Sequence, residues 1–99
     1  MIELPPDCEL VRTTREFDER TVPAGLLAAH RVADGVWGRL VVREGSLRFG
    51  FDDEAEERPV GAGASQVIPP GRFHHLVLDG AVRFVVEFHR SSDTGTVMS

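Results

Sequence analysis

VWGRLVVREGSLRFGF, residues 36–51, is the stretch whose reading decides the fold. Leu40 and Val42 alternate with Arg39 and Arg43 in its first half; Leu47, Phe49 and Phe51 alternate with Ser46, Arg48 and Gly50 in its second. Such alternation marks a strand wet on one face, because successive side chains leave opposite sides of the pleat. Between the halves, Glu44-Gly45-Ser46 predicts a hairpin turn, with Gly45 supplying positive φ.

Working outward, the same grammar continues on both sides. Asp52 to Glu57 is an acidic run, read as an exposed loop of solubilising charge. Gly61, Gly63 and Ser65 continue that loop or form a weak edge strand. Val67-Ile68 is a short strand stopped by Pro69-Pro70-Gly71, and Phe73 to Leu78 is another. Asp79-Gly80 predicts a second hairpin turn, and Val82, Phe84, Val86 and Phe88 form the core face of the last strand. Upstream, Glu9 to Asp18 reads as one strand anchored by Phe17. TVPAGLLAAHRV, residues 21–32, fits a short helix or a strand, and periodicity cannot separate the two over that length. About six to eight short strands with turn signals between them, and no long helical pattern, predict an all-β sandwich or small barrel.

The chain has 99 residues, one domain by the usual length prior, with its core over about 9–90 and a polar tail, 91–99, expected to be disordered. Net charge is −5, and all eleven basic residues are arginine. That balance argues against nucleic acid as a partner, since non-specific binding to phosphate backbones needs a dense basic surface. The single cysteine, Cys8, cannot form an internal disulfide, which fits a reducing cytoplasm. No signal peptide or membrane-length apolar run is visible, so no membrane partner is expected.

The chemistry concentrates in Pro69-Pro70-Gly71-Arg72-Phe73-His74-His75. If His74 faces inward, so do Leu76 and Leu78, whereas the opposite register would bury His75 and Asp79 and expose two leucines. His74 is therefore the interior candidate. His30 shares the parity of Leu26, Ala28 and Val32 and would also point inward on a strand. Two imidazoles inside a barrel suggest a divalent transition metal, since neutral imidazole binds zinc, iron, nickel and copper. A third protein ligand is then needed, and the candidates are Glu87, His75, Glu44 and His89. Trp37, Leu76 and Phe84 are read as pocket walls. The plain alternative makes the histidines part-buried packing residues and leaves Glu87 and His89 on a solvated face beside Arg83 and Arg90.

PAGLLAAHRVADGVWGRLVVREGSLRF (23–49), VIPPGRFHHL (67–76) and VRFVVEFHR (82–90) together resemble the TehB-like cupins, small proteins related to the N-terminal domain of a tellurite-resistance methyltransferase. The resemblance spans Phe17 to Arg90. It implies a cupin-type double-stranded β-helix, or jelly roll, that forms a small barrel. Such barrels are often homodimeric, with a metal held inside by histidines. Pro69, Gly71 and His74 match the second cupin motif, P-x-G-x-x-H. The first motif has two histidines one residue apart, then a glutamate, then a glycine. Counted back from Gly45, its glutamate slot falls near Gly38 and its second histidine slot near Asp34 or Gly35; only His30 lies near a histidine slot. The resemblance thus gives His30 and His74 as ligands of zinc, nickel or iron. Glu87 is the third, if a β-bulge turns it inward, with His75 as the substitute.

Three functions follow as expectations. The first is a metal- or small-molecule-binding cupin without independent catalysis, serving stress or tellurite resistance as an accessory. The second is a metal-dependent dioxygenase or isomerase. The third is a structural dimerisation module, since an isologous partner could cover an exposed sheet edge.

Overall fold

A computed structural model describes residues 2–27 and 31–91. It contains six strands: β1 (Cys8–Thr13), β2 (Phe17–Asp18), β3 (Val36–Phe51), β4 (Glu57–Gly61), β5 (Ser65–Ile68) and β6 (His74–Ser91). One 3-10 turn, Ala24–Leu26, is the structure taken by the described part of the segment that fits both helix and strand. His30 and the tail from residue 92 lie outside the described residues. All strand pairs are antiparallel, in the order β1-β6-β3-β4, with β2 added on β6 and β5 on β3.

The architecture rests on two long strands, β3 and β6, paired from Val36 opposite Arg90 to Phe51 opposite His74. The two turns expected at Glu44-Gly45-Ser46 and Asp79-Gly80 are not turns. At the first, Arg43 is an extra residue, and Gly45 takes φ 73° within a continuing strand. At the second, Asp79, Gly80 and Ala81 together face Ser46. A glycine with positive φ serves a bulge as readily as a hairpin. Here the bulges bend both strands at the same level, rolling one sheet around its apolar face.

The core is that face. Leu40, Val42, Leu47, Phe49, Phe51, Leu76, Val82, Phe84 and Val86 are all buried, as their alternation requires. The rings interlock: Phe17 and Phe84 lie 5.8 Å apart, and Phe49 meets Phe51 edge-on at 5.0 Å. The strand expected over Glu9 to Asp18 is split by a break at Thr14–Glu16. Thr14 bridges it, its N–H donating to Val86 O and its Oγ1 accepting from Val86 N–H at 3.0 Å. Among the described residues, no helix is long and apolar enough to cross a membrane.

Candidate functional site

One end of the rolled sheet is not filled. A cavity of about 230 Å³ opens between β2, β3, β5, β6 and the 3-10 turn. Its wall is carbon from Phe17, Leu26, Val32, Leu40, Ile68, Leu76, Val86 and Phe88, with Thr14 and His74 as the polar lining side chains. His74 is buried at 3% exposure, and its ring stacks on Phe49 at 5.4 Å. Its Nδ1–H donates to Arg72 O at 3.3 Å. The Pro69-Pro70-Gly71 turn, with Gly71 at φ 73° and its N–H on Val32 O, delivers His74 to the start of β6 at this spot.

The other sequence candidates fall in three places. Leu76 lines the cavity beside His74. Phe84 is fully buried deeper in the core against Phe17 and is not part of the described lining. Trp37 and Glu87 stand on the opposite face of the sheet. Register is unbroken from Val36–Arg90 to Val42–Phe84, so Gly38, Leu40, Val86 and Phe88 face in, while Trp37, Arg39, Glu87 and His89 face out. The bulge near this level lies in β1, between Leu10 and Arg12, and leaves the parity of Glu87 unchanged. Glu87 instead accepts from His89 at 3.0 Å and lies 3.9 Å from Arg39. His89 is buried at 8%, so this pair is less wet than the solvated face expected, and Arg83 is taken by Glu44 rather than by Glu87.

A second polar cluster joins His75, the substitute ligand of the resemblance, to the acidic run expected to be solubilising charge. His75 Nδ1 lies 2.6 Å from Asp52 and Nε2 2.9 Å from Glu57. Carboxylates on both ring nitrogens require both to donate, which only the imidazolium can do. Gly50, opposite His75, makes room: a Cβ there would stand 2.6 Å from Nε2. Arg48 ties Glu57 to Asp79, and Arg72 holds Asp53 and Glu54 while lying 3.7 Å over the Phe51 ring. The acidic run is thus a strapped loop. Its signal in the sequence was the three basic residues at 48, 72 and 75, visible only once β3 and β6 are paired.

Hydrogen bonding to Asp52 is the largest influence raising the His75 pKa above its ordinary 6.5; desolvation opposes it, and Glu57 adds to the rise. Proton uptake is therefore stronger in the folded state. The clamp stabilises fully below about pH 6.5 and fades as pH rises through the raised folded value. The site is partly solvated, so the effect is on the order of 1 kcal/mol. Urea unfolding should show His75→Gln destabilised by that amount near about pH 6, and indistinguishable from wild type near about pH 9. A gap that is constant with pH would refute the clamp.

The metal implied by the resemblance needs at least three protein ligands, and one of those it names, His30, lies outside the described residues. Among the described residues, no group of three or more His, Cys, Asp or Glu side chains is arranged to hold one. Glu87 is across the sheet, and His75 is engaged by Asp52 and Glu57.

With the geometry in place, comparison with known proteins is informative. The family model of the TehB-like domain matches residues 12–89. The uncharacterized protein YeaR of Escherichia coli K12 is 29% identical over 85 residues, covering 77% of this chain and 71% of YeaR. Among solved structures, TehB from Haemophilus influenzae superposes with TM-score 0.79 at 16% identity, covering 87% of this chain and 32% of that one. A cupin-2 domain protein from Shewanella frigidimarina gives TM-score 0.53 at 24% identity over 86% of this chain and 72% of its own.

Proposed function

The chain belongs to the TehB-like family, and from that premise we propose that it is a small-molecule-binding cupin that holds a compact, mostly apolar ligand beside His74 and performs no chemistry on it. The carbon-lined cavity supports this reading. A dry cavity of about 150 Å³ takes one benzene ring, so about 230 Å³ admits a ring or a short chain of similar bulk. Burying such a body in place of water is favourable by about 25 cal/mol per Å² of apolar surface. Catalysis would need a nucleophile with its base, or an acid and base set apart in pKa. Among the described lining residues, His74 is the sole titratable side chain. An accessory role in stress or tellurite resistance would be exercised through the bound ligand.

Calorimetric titration with hexanamide, a neutral chain of suitable bulk, tests the proposal. Wild type should bind it. Leu26→Trp should weaken binding about tenfold or more, because a larger side chain at the half-buried mouth takes up ligand volume. No binding of hexanamide or benzamide, or binding that ignores Leu26→Trp in a normally melting protein, would refute it. Elemental analysis of the same sample addresses the alternative drawn from the resemblance. Stoichiometric zinc, nickel or iron removed by His30→Ala and His74→Ala would replace the apolar-ligand reading with a metal centre.

A further inference from the structure

We infer that the ligand is an anion: a small amphipathic carboxylate with its apolar body in the cavity and its head in an arginine groove beside it. This deepens the binding reading above and rests on it. The groove, about 320 Å³, is bordered by Arg12, Arg31 and Arg90, with Val32, Val36 and Phe88 among its apolar residues. Val32 and Phe88 also line the cavity at His74, so the two spaces are neighbours across shared side chains.

The arginines carry the argument. In a chain with sixteen acidic residues and eleven arginines, Arg39, Arg43, Arg48, Arg72 and Arg83 each meet a carboxylate. Among the described residues Arg12, Arg15, Arg20, Arg31, Arg58 and Arg90 form no ion pair, and of these Arg12, Arg31 and Arg90 border one groove, although Glu9 stands directly opposite Arg90 on β1. Two of them are positioned by aromatic rings. Arg12 lies 4.7 Å from the centre of Phe88, and Arg31 lies 5.5 Å from the centre of Phe73. A guanidinium held over a ring face by cation–π attraction still has its N–H fork to offer a planar carboxylate. The apolar residues beside the fork favour an acid with a hydrocarbon body over a fully hydrated inorganic anion. Phe88 serves both halves: its ring carries Arg12 and also borders the cavity.

Titration of hexanoate against hexanamide tests this, on wild type and on the triple variant Arg12→Gln, Arg31→Gln, Arg90→Gln, with a melting curve for each. Wild type should bind hexanoate about tenfold more tightly than hexanamide, the triple variant should bind the two alike, and added salt should weaken hexanoate alone. A triple variant that keeps the preference, or a wild type without one, overturns the anionic assignment and leaves the neutral-ligand reading standing. Inorganic phosphate that displaces hexanoate at equal concentration overturns the carboxylate class. Hexanoate binding unaffected by Leu26→Trp overturns the two-part site. Failure of both ligands removes the binding reading itself.

Discussion

Phe84→Ala is expected to lower the unfolding free energy by about 3–5 kcal/mol, read from urea denaturation at neutral pH. The ring is completely buried, stands opposite Val42 on β3 and Phe17 on β2, and meets the Phe17 ring at 5.8 Å. Both flanking strands are held in register by backbone hydrogen bonds, so neither can move in to close the void. The lining loses transfer energy and packing contacts together, and collapse recovers little of either. Small domains have about 5–15 kcal/mol in total, so the variant should sit close to the edge of folding. Phe84→Leu keeps most of the volume and should cost clearly less. If Phe84→Ala cost under about 1 kcal/mol, the ring would be bordering open space, and the placement of the cavity boundary above it would be wrong.

How far residues could be assigned from sequence depended on whether their environment is local. The alternation in Leu47, Phe49 and Phe51, and in Val82, Phe84 and Val86, gave the buried face directly, because parity along a strand is a one-dimensional property. The same parity put His74 inward with Leu76. It also sets Trp37 with Arg39 and Val41 on the outer face, against its reading as a pocket wall, and Glu87 with Arg83 and Val85; a bulge in β6 next to Glu87 would have been needed to turn that side chain inward, and the bulge at that level lies in β1. What strand parity cannot supply is partnership. β1 pairs with β6 across most of the chain's length, and the acidic run finds Arg48, Arg72 and His75 only when β3 and β6 are side by side. The cavity draws its lining from four strands and a turn, so its members are scattered beyond any local motif. The TehB-like resemblance carried the barrel fold, since a fold is shared by the whole family. The donor set that it implies includes His30, which lies outside the described residues.

Gly45→Ala is the second large effect, and it separates a hairpin glycine from a bulge glycine. Two demands meet at this residue. Its φ of 73° lies in the region that L side chains occupy at a cost of about 1–2 kcal/mol. A Cβ added there would also collide with the carbonyl oxygen of Ala81 and press on the backbone of Ala81 and Val82 at 3.1 Å. Backbone cannot rotate away as a side-chain tip can, so β3 and β6 would have to separate where they bend. Gly63 is the internal control: its φ is 86°, but a Cβ there meets nothing within 4 Å. Gly63→Ala should therefore cost only the conformational part, about 1 kcal/mol, and Gly45→Ala about 3 kcal/mol or more, compared by urea unfolding. The bend also sets where His74 and Leu76, on one arm of β6, meet Val86 and Phe88 on the other to enclose the cavity. Hexanamide affinity should fall in Gly45→Ala under conditions where it is still folded, and stay unchanged in Gly63→Ala. Equal costs for the two glycines would mean that β3 and β6 do not approach each other this closely at the bend, and the geometry that forms the pocket would have to be redrawn.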